Sequence, residues 1–127
     1  MNLDNYDTRK GSDAGATVEL VSPVDGKGLG AYLSILGVDG AAYAEAQSEL
    51  VEAALKTKAS RLTPDQERRL LVACVTGWRD EEGEALEFGG ARHPFSVPAA
   101  LKFFEQFPRF ATQVEAAIRN LGNFLPT

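Results

Sequence analysis

The sequence predicts an α+β chain, mostly α, in which an N-terminal β-hairpin packs on about four helices. Two short β-prone runs flank a glycine- and proline-containing loop near the start. A Thr-Pro-Asp-Gln helix start lies at mid-chain. Apolar residues three and four apart, punctuated by prolines, fill the C-terminal half. At 127 residues, 44% hydrophobic and 24% charged, the chain suits one globular domain with one core.

Residues 1–15 are polar and end in Gly11-Ser12-Asp13-Ala14-Gly15, so a flexible arm is expected there, with a single domain over 16–127. The strand runs are Thr17-Val18-Glu19-Leu20-Val21 and Ala31-Tyr32-Leu33-Ser34-Ile35-Leu36. Pro23 and Asp25-Gly26 place a long turn between them. A hairpin alone is marginal and must pack on the helices that follow. The first of these is expected from about Gly40 to Lys58, capped by Asp39. Its apolar stripe is Tyr43, Ala46, Leu50 and Ala54, with Leu55 at the margin.

Thr63-Pro64-Asp65-Gln66 has capping-box form, and Pro64 suits the first helical position because its missing N–H has no partner there. This second helix is expected to reach about Arg79 and to bury Leu71, Cys74, Val75 and Trp78, with Leu70 at the margin. Asp80 to Pro94 reads as an acidic, glycine-rich loop. Ser96 then caps a helix over Val97–Phe107. Phe107-Pro108 breaks it and starts a last helix carrying Phe110, Val114, Ala117, Ile118 and Leu121, with Gly122 as its C-terminal cap.

Bulk properties exclude several classes of function. The net charge of −5 and the scattered basic residues argue against nucleic acid as the main ligand. The apolar run Leu70–Val75 is far short of the roughly 18 residues that span a bilayer. The N-terminus carries acids where a signal peptide needs positive charge. A cytoplasmic protein is therefore expected, with no membrane partner.

No catalytic or metal constellation is visible, and the chain reads as a non-enzyme with no cofactor. His93, the only histidine, stands in Ala91-Arg92-His93-Pro94 with no evident partner to orient it. Cys74 lies in the most apolar stretch, where burial makes a thiol inert. One His and one Cys do not make a zinc site. Placing Gly83 at the obligatory glycine of a calcium loop puts Trp78 and Gly89 at ligand positions that need oxygen donors. Gly26-Lys27-Gly28-Leu29-Gly30-Ala31 has dinucleotide-fingerprint spacing, but a β-prone run follows where a helix must open.

What remains is a concentration of aromatic side chains. Trp78, Phe88, Phe95, Phe103 and Phe107 are the candidate partner-binding residues. Phe103 and Phe104 are adjacent, so they point about 100° apart on a helix. Leu101, Phe104 and Phe107 are expected to face inward and Phe103 outward. Two readings stay open: the rings fill a small core from two sides, or one or two of them line a groove or an oligomer contact.

Taken in order, Ser22-Pro23 and Gly26, Ile35-Leu36-Gly37-Val38-Asp39-Gly40-Ala41-Ala42-Tyr43, Val75-Thr76-Gly77-Trp78, the turn at Gly83, Pro94-Phe95-Ser96, Phe107-Pro108 and Asn120-Leu121-Gly122-Asn123-Phe124 form a pattern. Over residues 16–125 it resembles the tail assembly chaperones of siphophages and related prophages, the lambda-like and HK97-like proteins among them. Gly40 departs from that pattern, where a serine is expected after the aspartate. The resemblance implies a non-catalytic protein that coats the long helical tape measure protein and keeps it soluble until major tail protein polymerises around it. It also implies residence in the host bacterial cytoplasm and absence from the mature virion. In many relatives a frameshifted longer form contacts the major tail protein, and a homo-oligomer is a further open partner. The alternative reading is a tail-completion or head–tail connector subunit retained in the virion.

Overall fold

The computed structural model describes residues 2–126. Its elements are α1 (Thr8–Ala14), β1 (Ala16–Val21), β2 (Gly28–Ile35), α2 (Ala41–Lys56), α3 (Pro64–Ala73), β3 (Val75–Asp80), β4 (Leu86–Phe88), β5 (Ala91–His93), α4 (Val97–Gln106) and α5 (Pro108–Arg119). Short 3-10 turns lie at Leu3–Tyr6 and Leu121–Phe124. The fold is α+β and mostly α, with the β1–β2 hairpin followed by four helices as expected. No helix among the described residues is long and apolar enough to cross a membrane.

The hairpin extends into a three-stranded antiparallel sheet of order β1-β2-β3. One face supplies Leu20, Leu33, Ile35, Val75 and Trp78 to the core. On the other face, Glu19, Tyr32 and Arg79 lie opposite one another across the three strands, and the Arg79 guanidinium sits 4.4 Å above the Tyr32 ring. Val21 at the end of β1 is held by the Gln113 amide of α5, which accepts from its N–H at 3.0 Å and donates to its carbonyl at 2.7 Å.

Local signals set three of the helix starts. Thr63 and Gln66 form the reciprocal capping box, Thr63 Oγ1 accepting at 3.1 Å and Gln66 Oε1 at 2.9 Å. Ser96 caps α4 by accepting from Ala99 N–H at 3.1 Å, and Pro108 opens α5. Val114 and Ile118 of α5, and Ala100, Phe103 and Phe104 of α4, are buried.

The structure corrects the expected second helix. It ends at Ala73 with Cys74 as C-cap, and the following residues pair with β2 as β3. Ser34 faces Gly77 while Ile35 faces Val75, so Thr76 is an extra residue, a β-bulge. The bulge turns Val75 and Trp78, three residues apart, to the same buried face and so reproduces a helical spacing. The expected loop over 80–94 also contains structure, the β4–β5 hairpin. It closes through Gly89-Gly90, whose φ values of 60° and 79° are those a two-residue turn needs.

The N-terminal segment differs as well. Residues 8–14 form a helix where an unpacked arm was expected, and tertiary polar contacts hold it. Thr8 Oγ1 donates to Asp39 at 2.5 Å, and Asp13 accepts from Ala41 N–H at 2.8 Å. Asp39 was expected to cap α2. The N-cap is instead Gly40, which has no side chain to do it, and Asp13 supplies the missing acceptor. Ser12 is fully buried against Gly37, where any Cβ would overlap its hydroxyl. Gly122 lies inside the closing 3-10 turn with Leu121, and Asn120 is the C-cap of α5.

Candidate functional site

The five aromatic candidates come together, but as packing. Trp78 meets Phe88, Phe95 and Phe103 with ring centroids 5.9, 5.2 and 5.5 Å apart, and Phe103 meets Phe107 at 5.1 Å. Trp78, Phe88 and Phe103 are buried, while Phe95 and Phe107 are half-buried. Phe103 does not face outward as expected: it is only 4% exposed. Both sides of α4 are covered. Phe103 packs towards Trp78, Phe88 and Phe110, and Phe104 shares the lining of a hollow on the other side with Leu71, Cys74 and Ile118.

His93 belongs to this cluster. Its Nε2 lies 3.0 Å from the Phe88 carbonyl, its ring stacks on Phe88 at 4.0 Å, and its own carbonyl accepts from Trp78 Nε1 at 2.8 Å. These contacts fasten the β4–β5 hairpin to the sheet. Asp80 secures the preceding turn. Its carboxylate accepts from the backbone N–H groups of Glu84 and Glu82, at 2.8 and 2.9 Å, and lies 3.5 Å from Arg92. The Glu84 hydrogen bond above all holds that carboxyl below the usual range. Cys74 is fully buried, and desolvation pushes its thiol up to about 11. Among the described residues, no group of three or more His, Cys, Asp or Glu side chains comes together as a metal site requires.

Two concavities formed by the described residues bear on binding. The smaller, about 250 Å³, lies under the β4–β5 hairpin, with Leu20, Leu29, Phe88, Phe107 and Phe110 around it and the Asp80–Arg92 pair in its wall. It contains three of the aromatic candidates, Phe88, Phe103 and Phe107.

The larger is a groove of about 430 Å³ between α2, α3 and α5. Leu62, Leu70, Leu71, Phe104 and Ile118 are among its apolar lining, and Gln47, Glu67, Arg68, Glu115 and Arg119 supply its polar part. Arg119 donates to the Tyr43 hydroxyl at 3.1 Å and lies 3.4 Å from Glu115. The Tyr43 oxygen is the main reason the guanidinium holds its proton more tightly than usual. Arg68 is held only loosely, 3.9 Å from Asp65, whose carboxylate already accepts from Arg69 at 3.0 Å.

An apolar floor with charged groups around it suits the apolar face of an amphipathic helix, whose polar side would remain in water. The groove is not legible in the sequence because α5 joins the consecutive helices α2 and α3 from far along the chain. Its one local signal is Leu70, at the margin of the helical stripe and half-buried in the fold. No family model, curated protein or solved structure matches the chain.

Proposed function

We propose that this chain is a non-catalytic assembly chaperone of a long phage tail. It binds the helical tape measure protein and keeps it soluble in the bacterial cytoplasm until the tail is built. The sequence pattern over residues 16–125 supports that choice of client. The structural observation that carries the reading is the apolar groove between α2, α3 and α5, bordered by Gln47, Arg68 and Arg119. Binding there shields part of a client's greasy face, and the −5 charge keeps the loaded chaperones apart. Contact with major tail protein belongs to the same reading, and the chain leaves before the particle matures.

Co-expression of the full chain with a tape measure protein that is insoluble alone tests this directly. The expected result is a soluble client that co-purifies with the chain. Unchanged client solubility would refute the proposal. So would a stoichiometric amount of the chain in purified virions, which is the outcome for a tail-completion or connector subunit.

A further inference from the structure

Helix α2 has an apolar stripe that the fold covers and a second row of small and aliphatic residues that it leaves exposed. Tyr43, Ala46, Leu50 and Ala54 turn towards the body of the protein, although Ala54 alone is buried. A second row, Ala41, Ala44, Ser48, Val51 and Leu55, advances in alternating steps of three and four residues and is exposed throughout. Val51 is 46% exposed and Leu55 is 72% exposed. Leu55 was expected at the margin of the inner stripe and belongs to the outer one. Alternating three- and four-residue steps define the seam of a helix that packs lengthwise on another helix. Small residues along its N-terminal half permit close approach, and Val51 and Leu55 supply the knobs.

The charges beside the seam indicate what covers it. Glu45, Glu49 and Glu52 lie along one flank, all exposed, and none takes part in an ion pair among the described residues. Lys56, one turn after Glu52, is the lone cation of that flank. The opposite flank carries the uncharged Gln47, which also lines the groove. A second copy of this chain fits poorly. Antiparallel pairing sets Glu45 and Glu52 against their own counterparts, and parallel pairing sets them only against Gln47. A helix with Lys or Arg beside its seam meets the acids with opposite charge.

We infer that the outer face of α2 is a docking seam for a partner helix with an apolar stripe flanked by basic residues. The inference rests on the reading of this chain as a binder of helical protein, and it specifies both the face used and the chemistry of the partner.

The test uses the full chain and two synthetic helical peptides with the same Leu/Ala seam, one with Lys flanks and one with Glu flanks. Fluorescence anisotropy is expected to show the Lys-flanked peptide binding about tenfold or more tighter, with the difference shrinking in high salt. Val51→Ser together with Leu55→Ser is expected to weaken binding about tenfold while leaving circular dichroism unchanged, because both side chains are exposed. The double reversal E45K/E52K is expected to invert the peptide preference. Equal binding of the two peptides, or an unaltered preference in E45K/E52K, overturns the inference. Self-association of the chain that disappears in V51S/L55S also overturns it, because the seam is then covered by a second copy. Loss of peptide binding on Leu70→Ser but not on V51S/L55S places the helix in the groove and overturns the seam while leaving the chaperone reading intact. Failure of the co-expression test is read separately from all of these, since it does not involve the peptides.

Discussion

The two ends of this molecule are held together by different means. Trp78, six phenylalanine rings and His93 pack edge to face, tilted or stacked, with centroids 4.0 to 6.3 Å apart, and fix α4 between the sheet, the β4–β5 hairpin and α5. Within α1 and α2, Ser12 and Ala54 alone are buried, and much of the attachment is polar: Thr8 to Asp39, Asp13 to the start of α2, and Arg119 to Tyr43. Aromatic abundance therefore marks the region that cannot spare its side chains for a partner. The more lightly held aliphatic helix carries the accessible surface. Aromatic pairs add about 0.5–1.5 kcal/mol beyond the area they bury, whereas a single helix cap is worth about 1 kcal/mol.

Substitutions should separate the two regions by magnitude. Phe103→Ala, which leaves a cavity at the centre of the ring cluster, is expected to destabilise the fold by about 3–5 kcal/mol in urea denaturation. A loss under about 1 kcal/mol would mean the cluster is not the core. Alkaline titration probes the same region through Cys74. Burial raises its folded pKa to about 11 from 9.0, so its contribution is complete below pH 9 and is lost as pH rises towards 11. The fall in stability over that window should be shallower in Cys74→Ala; an identical fall would assign it to other groups.

At the lightly held end, Asp13→Ala should cost about 1 kcal/mol by removing the acceptor that Gly40 cannot provide. Amide exchange in the first turn of α2 should quicken, while α4 stays slow. Ser12→Ala goes the other way. The Ser12 hydroxyl is buried with no hydrogen-bond partner among the described residues, so its removal should stabilise by up to about 1 kcal/mol. A clear loss would reveal a partner for that hydroxyl. Smallest of all, V51S/L55S should change unfolding by less than about 0.5 kcal/mol while weakening peptide binding, which separates surface from core.

The same contrast accounts for what could be read in the sequence. Helix starts at Thr63-Pro64, Ser96 and Pro108 were legible because a cap or a proline acts within one turn. The β1–β2 hairpin was legible from alternation and its turn residues. Strand β3 was not, because the bulge at Thr76 spaces Val75 and Trp78 as a helix would. The β4–β5 hairpin was hidden by three-residue strands too short to show a period. Helix α1 was hidden because its partners, Asp39 and Ala41, come 31 and 28 residues later. The aromatic candidates were identified as a group, but composition does not tell a core ring from a contact ring, and only Phe95 and Phe107 keep partial exposure. The groove and the outer seam of α2 depend on which of two helical stripes the rest of the chain covers, which only the assembled fold decides.

Hydrogen exchange on the full chain, free and bound to a co-purified tape measure protein, separates binding at α2 and α3 from binding at the ring cluster. Client binding is expected to slow exchange across Ala41–Lys56 and Pro64–Ala73, two of the three helices that wall the groove, and to leave Leu86–His93 unchanged. Slowing confined to the β4–β5 hairpin and Phe107, or the absence of any stable complex, would contradict that expectation.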